Sequence, residues 1–239
     1  MTPWYLSEWV GFDTETTGVN VEDDRIVTAA LVWCVAGEPV ETRTWLSDAG
    51  GIEIPLAATK IHGISTAYAR KFGRPGELMV RRIAWLLARE IEAGRPIVAM
   101  NARFDLTLLD RELARYGQPS LAEQAGREPY VLDPIVLDKQ VDKFRPGSRN
   151  LTALCRHYEV ELNGAHRADA DAIAAARVTY QLACKYPELR APTLPELHEQ
   201  QTVWAREQAA SLQTHLRQKD PAAVVDGDWP LIPRQGGTP

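Results

Sequence analysis

The stretch Phe12-Asp13-Thr14-Glu15-Thr16-Thr17-Gly18 closes an apolar run that begins at Trp9 and includes Val10 and Phe12. Residues i and i+2 of a strand face the same side, so Asp13 and Glu15 present two carboxylates together. Two like charges at the end of a core strand are costly unless a cation neutralises them. Hard divalent ions such as Mg²⁺ take oxygen ligands of this kind. An isolated D-x-E is more often a solvated strand end, and short motifs match by chance. The pair gains meaning only from what the rest of the chain adds.

Outward from this strand, residues 25–35 (RIVTAALVWCV) are β-branched and mostly apolar, and residues 39–46 alternate. Three consecutive strands predict an antiparallel meander. A short helical piece is expected near 56–61, and an amphipathic helix over 77–92, stopped by Gly94 and Pro96. Strand 96–100, helix 104–116, strand 130–137 and helices 150–158 and 168–185 follow. Strands that give way to alternating helix and strand indicate an α/β fold with a mixed sheet flanked by helices. Residues 1–190 form the expected main domain and 191–218 a helical appendage. Residues 219–239, rich in Pro and Gly, read as a flexible tail.

Composition sets limits. A 239-residue chain with 45% hydrophobic and 25% charged residues suits a globular protein with one sizeable core. Its three cysteines are widely spaced, as expected of reduced core residues in a cytoplasmic protein. MTPWYLSEWV has no signal-peptide pattern, and no run is long and apolar enough to span a membrane. A net charge of −5 argues against coating nucleic acid non-specifically, though not against gripping a few nucleotides in one cleft.

Two further acidic segments join the first. Strand 97–100 runs into Asn101-Ala102-Arg103-Phe104-Asp105, where Asp105 falls in the first turn of a helix. Asp110 is rotated about 140° from it at helical spacing. The third segment is His166-Arg167-Ala168-Asp169-Ala170-Asp171. Asp171 heads the stripe Ala175, Val178 and Leu182, which would lie on the sheet. Asp169, about 200° away around the helix, also has apolar residues on its face (Ile173, Ala176, Tyr180), so periodicity favours Asp171 without deciding it.

FDTETTG, NARFD and HRADAD, in this order, resemble the DEDDh 3′→5′ exonuclease superfamily, over roughly residues 9–185. The resemblance is closest to the proofreading (epsilon) subunits of bacterial DNA polymerase III, which Ile61-His62-Gly63-Ile64 and FRPGSRNLTALCRHYEV also resemble. It implies a ribonuclease H-like sheet and two Mg²⁺ or Mn²⁺ ions held by Asp13, Glu15, Asp105 and Asp171. His166 would be the general base in hydrolysis of terminal phosphodiester bonds to nucleoside 5′-monophosphates. Thr14, Thr16, Thr17 and His62 are implied contacts to the terminal nucleotide. Arg145 and Arg149, in a basic run with Lys139 and Lys143, are candidates for guiding the phosphate backbone.

The expected partners are nucleic acid 3′ ends, DNA before RNA, and a DNA polymerase complex is a further candidate. An RNA-trimming ribonuclease would use the same catalytic residues. A non-catalytic binding module would be expected to have lost a metal ligand, and none is missing here. Gln213-Thr214-His215-Leu216 lacks the aromatic pair of a sliding-clamp motif, and Trp229-Pro230-Leu231-Ile232 is either a docking peptide or part of a disordered tail.

Overall fold

The computed structural model describes residues 2–234. Strands β1 (Glu8–Thr16), β2 (Ile26–Val35) and β3 (Glu38–Leu46) form the meander, and β4 (Ile97–Val98) and β5 (Val131–Leu132) complete a sheet of order β3-β2-β1-β4-β5. The meander is antiparallel, whereas β4 lies parallel to both β1 and β5. This is the expected mixed α/β sheet. The helices are α1 (Leu56–His62), α2 (Thr66–Phe72), α3 (Gly76–Glu92), α4 (Ala102–Arg115), α5 (Leu121–Ala125), α6 (Pro134–Val141), α7 (Leu151–His157), α8 (Ala168–Lys185), α9 (Pro187–Arg190) and α10 (Leu194–Leu216).

Alternation along β1 divides the core. Val10 and Phe12 are fully buried among Met79, Ile83 and Leu87 of α3 and Leu106 and Leu109 of α4. Trp9 packs on the other face with Val178 and Leu182 of α8, beside Leu154 of α7. Asp13 and Glu15 continue the Trp9 face, so their carboxylates emerge on the side that carries α8. Gly11 sets how close α8 comes: a Cβ there would lie 3.0 Å from the Ala172 carbonyl oxygen. The alanines Ala168, Ala172 and Ala176 rest against Ala30, Val32 and Cys34 of β2 in the same way. A glycine and a face of small residues bring the start of α8 down onto the carboxylate end of β1.

Three expectations need correction. The strand predicted over 130–137 is only two residues long, because Asp133 caps a new helix and accepts from the Ile135 amide 3.0 Å away, with Pro134 in its first turn. The helix expected over 191–218 is present as α10, but it packs against the edge of the sheet. Among the described residues the outer edge of β5 has no partner strand, and α10 side chains satisfy it: the Val131 amide donates to His198 Nδ1 (3.1 Å), Gln201 Nε2 donates to the Val131 carbonyl (2.9 Å), and the Asp133 amide donates to Gln201 Oε1 (2.8 Å).

The third concerns the tail. Residues 225–234 run back over the body instead of hanging free. The Trp229 side chain is buried, the Ile232 amide donates to Thr107 Oγ1 (3.0 Å), and Arg111 Nη2 donates to the Ile232 and Pro233 carbonyls (3.0 Å each). The last five residues of the predicted tail lie outside the described residues. Among the described residues, no helix is long and apolar enough to cross a membrane.

Candidate active site

Parallel pairing explains where Asp105 sits. The Val10 amide donates to Pro96, so the amides of alternate β1 residues face β4. β4 ends at Val98, and beyond that end the Thr14 amide has no strand to meet. Asp105 takes the place: its Oδ1 accepts from the Thr14 amide at 3.0 Å and from the Thr14 hydroxyl at 2.5 Å. Asp105 is only 4% exposed.

From the other side, α8 delivers Asp171. Asp171 Oδ2 accepts from the His166 amide at 3.0 Å, and His166 itself is exposed with φ 66°. That left-handed conformation is uncommon for a residue with a side chain and costs strain. One ligand atom from each of Glu15, His166 and Asp171 falls within 4.8 Å of the others. Asp171 Oδ1 is buried and unpartnered among the described residues.

The acids raise one another's proton affinity. Burial, followed by the charges of Asp105, Asp171 and Glu15, holds Asp13 well above the usual carboxylate range. Burial, with Asp171 and Asp105, pushes Glu15 up to about 7. Burial takes Asp105 to about 7 against the opposing hydrogen bonds from Thr14, and raises Asp171 against the His166 amide. A crowded, partly buried set of carboxylates with an orphaned oxygen suits hard divalent cations, which would replace the protons. Asp13, Glu15, Asp105 and Asp171 are the residues available to hold them.

The other expected site residues divide. His62 lines a cleft of about 530 Å³ together with Glu15, His166, Trp45 and Tyr68. Its Nδ1 accepts from the Ile64 amide at 3.1 Å, and burial lowers its pKa against a hydrogen bond with the Thr16 backbone. Thr14 and Thr17 are buried and their hydroxyls are engaged internally, Thr14 with Asp105 and Thr17 with Asp24 Oδ1 at 2.6 Å. Thr16, half-buried, donates to the Gly18 carbonyl at 2.6 Å.

Arg145 and Arg149 turn inward in this structure. Both bind Asp138, which is fully buried: Arg145 Nη2 lies 2.9 Å from Oδ2, and Arg149 Nη1 meets the same oxygen. Arg149 also donates to the Asp142 carbonyl at 2.6 Å. The rival acids are also engaged, Asp169 with Arg167 (2.7 Å) and Asp110 with Arg111 and Arg234 (2.9 and 2.7 Å).

Asp133 is the residue that sequence reasoning passed over. It is 1% exposed and accepts from the amides of Asn101 (3.1 Å) and Ala102 (3.0 Å), where α4 begins. Its signal was present in Asp133-Pro134, a helix-start pair read as the middle of a strand.

The model of the exonuclease family RNase_T matches residues 10–179. Curated relatives include the PolC-type DNA polymerase III of Lacticaseibacillus paracasei, 27% identical over 176 residues, which cover 74% of this chain and 11% of that protein. The PolC-type DNA polymerase III of Caldanaerobacter subterraneus subsp. tengcongensis is 26% identical over 194 residues, covering 80% and 13%. The chain thus spans only a small part of the length of these relatives. Among solved structures, E. coli Exonuclease I in complex with a dT13 oligonucleotide superposes with a TM-score of 0.65 at 21% identity, over 77% of this chain and 42% of that one. A moderately thermophilic Exonuclease I from Methylocaldum szegediense gives 0.64 at 20% identity, over 87% and 45%. With its three acidic segments in order on a ribonuclease H-like sheet, the chain belongs to the RNase_T exonuclease family, within the DEDDh 3′→5′ exonuclease superfamily.

Proposed function

We propose that the protein is a metal-dependent 3′→5′ exonuclease that removes nucleoside 5′-monophosphates from single-stranded or frayed DNA ends, in proofreading or repair. The observation that carries this reading is the convergence of Glu15, His166 and Asp171 within 4.8 Å beside a cleft large enough for a nucleotide. DNA is favoured over RNA because the curated relatives are DNA polymerases and the E. coli neighbour holds a dT13 strand. The same relatives support a polymerase complex as the partner.

Asp13, Glu15, Asp105 and Asp171 would hold two Mg²⁺ or Mn²⁺ ions. Such ions supply positive charge to the attacking and leaving oxygens of an in-line displacement. Thr14 holds Asp105 from behind through its amide and hydroxyl, so that carboxylate is preset. His166 takes the proton of the attacking water on a ring nitrogen. Its amide binds Asp171 Oδ2, which ties the His166 backbone to that carboxylate. His62 and Tyr68 line the cleft where the terminal nucleotide would lie.

Matched 5′-labelled DNA and RNA single strands, digested with Mg²⁺, Mn²⁺ or EDTA, test this. A 3′-shortening ladder on DNA, abolished by EDTA, is the expected result. Cutting that survives EDTA would overturn the metal assignment, and equal cutting of RNA would overturn the DNA preference.

A further inference from the structure

Asp105 lies in the first turn of α4, so its position depends on how that turn is anchored. Asn101, which precedes it, has φ 59° and caps nothing with its own side chain. The first amides of the helix are satisfied from elsewhere: Asn101 N donates to Asp133 Oδ1 and Ala102 N to Asp133 Oδ2. Asp133 is thus a helix cap supplied by the neighbouring strand end, and the Ala102 amide that it holds lies three residues before Asp105. A carboxylate this deeply buried needs a full set of donors. The Ile135 amide is one, and the Trp229 indole Nε1, 3.3 Å from Oδ2, is another.

Trp229 comes from the strap that crosses the body after α10. Its ring lies 5.2 Å from that of His198, the residue that binds the Val131 amide. Gln201, fully buried, binds the backbone on both sides of Leu132, through the Val131 carbonyl and the Asp133 amide. Trp229 therefore grips the Asp133 carboxylate, and Gln201 grips its backbone. Both lie beyond the 10–179 span of the family model.

We propose that α10 and the strap at residues 225–233 form a brace that positions Asp105 through Asp133, with Trp229 and Gln201 as its grips. The proposal rests on the reading of Asp105 as a metal ligand. Asp133, Trp229 and Gln201 are positioning residues, since none reaches the cleft. When the indole N–H is removed, the Asp133 carboxylate loses a donor and the start of α4 loosens. Asp105 then spends less time where a cation can be shared with Asp13. Metal affinity and turnover suffer, while the cleft that binds the DNA strand is untouched.

The test uses the full chain and three variants: Trp229→Ala, Trp229→Phe, which keeps an aromatic ring without the N–H, and Arg234→Ala, which cuts a strap contact that reaches only Asp110. Mn²⁺ affinity is measured by titration calorimetry without DNA, and kcat and KM on a 5′-labelled single strand. Trp229→Ala is expected to weaken Mn²⁺ binding roughly tenfold, in line with other groups that support a metal ligand from behind. Its kcat should fall, its KM should hold, and excess Mn²⁺ should restore part of the loss. Trp229→Phe should show a smaller change of the same kind and Arg234→Ala none. A folded Trp229→Ala or Trp229→Phe protein with wild-type Mn²⁺ affinity and kcat would overturn the brace, even if its melting temperature fell. If the wild-type protein itself bound no Mn²⁺ and cut no DNA, the metal reading would fall first, and the brace with it.

Discussion

Asp138 is fully buried and meets two guanidiniums, Arg145 and Arg149, and the Tyr158 hydroxyl at 2.7 Å, whereas Asp13, Glu15, Asp105 and Asp171 crowd together with no basic side chain bonded to them among the described residues. Both centres are built from carboxylates withdrawn from water, and both bear the desolvation cost of that position. At Asp138 the chain supplies the opposing charge itself, and the result is a clamp on the loop that leads from α6 to α7. At the β1 end the opposing charge has been left out. Buried acids repel one another there, and an oxygen of Asp171 has no partner among the described residues. A fold tolerates such an arrangement where an ion from outside completes it. Burial alone thus says little about function; the missing countercharge is what separates a site from a strut.

The sharpest way to break the comparison is to neutralise one acid in the unpaired centre. Asp171→Ala or His166→Ala should lower kcat by at least on the order of 10²–10³-fold, the scale seen when one preorganised electrostatic group is lost. For Asp171→Ala the metal-free melting temperature should hold or rise, because a repelling charge has gone. Activity assays and calorimetry on the same preparation check both. An active, folded Asp171→Ala enzyme would remove that acid from the mechanism.

The paired centre should respond in the opposite sense. Arg149→Ala leaves Asp138 short of a partner, and breaking a buried pair in this way costs about 3–5 kcal/mol. For a chain of this size that corresponds to a fall in melting temperature of roughly 10 °C. Below the transition, kcat and the salt dependence of KM should match wild type, because the guanidinium is already bound internally. A flattened salt dependence would return Arg149 to the DNA-binding surface.

This contrast was only half legible in the sequence. Alternation along β1 was enough to pair Asp13 with Glu15, and the strand-to-helix step located Asp105. Asp169 and Asp171 could not be separated by periodicity, because what separates them is tertiary: Gly11 and Ala172 let α8 descend with Asp171 turned inward. The basic run ending in Arg149 looked like a phosphate track because nothing local marks Asp138 as the buried acid it surrounds. The apolar stretch VLDPIVL was taken as one strand, although Asp133-Pro134 breaks it into a strand end and a helix start. The Pro and Gly content of the C-terminal segment signalled flexibility, yet Trp229 finds a partner in Asp133, about a hundred residues earlier in the chain. Apart from that local helix start, the missing information was the identity of a distant neighbour.

The smallest effect follows from proton linkage in the unpaired centre. Glu15 and Asp105 have folded-state pKa values raised to about 7, and Asp13 and Asp171 are raised as well, above the range near 4 of an unfolded chain. A raised pKa means that the folded state holds these protons more tightly. For Glu15 and Asp105 the stabilising contribution is complete in acid and is lost as pH climbs from about 4 through about 7. Mg²⁺ can replace the protons only once they have left. The rise in melting temperature on adding Mg²⁺ to the EDTA-treated protein should therefore be slight near pH 5 and grow to a few degrees near pH 8. Asp13→Asn, with one repelling charge fewer, should narrow that gap, while Arg149→Ala should leave it unchanged on a lower baseline. A Mg²⁺ response independent of pH would mean that these carboxylates are not where the ion binds, and the two centres would no longer differ in the way that separates site from strut.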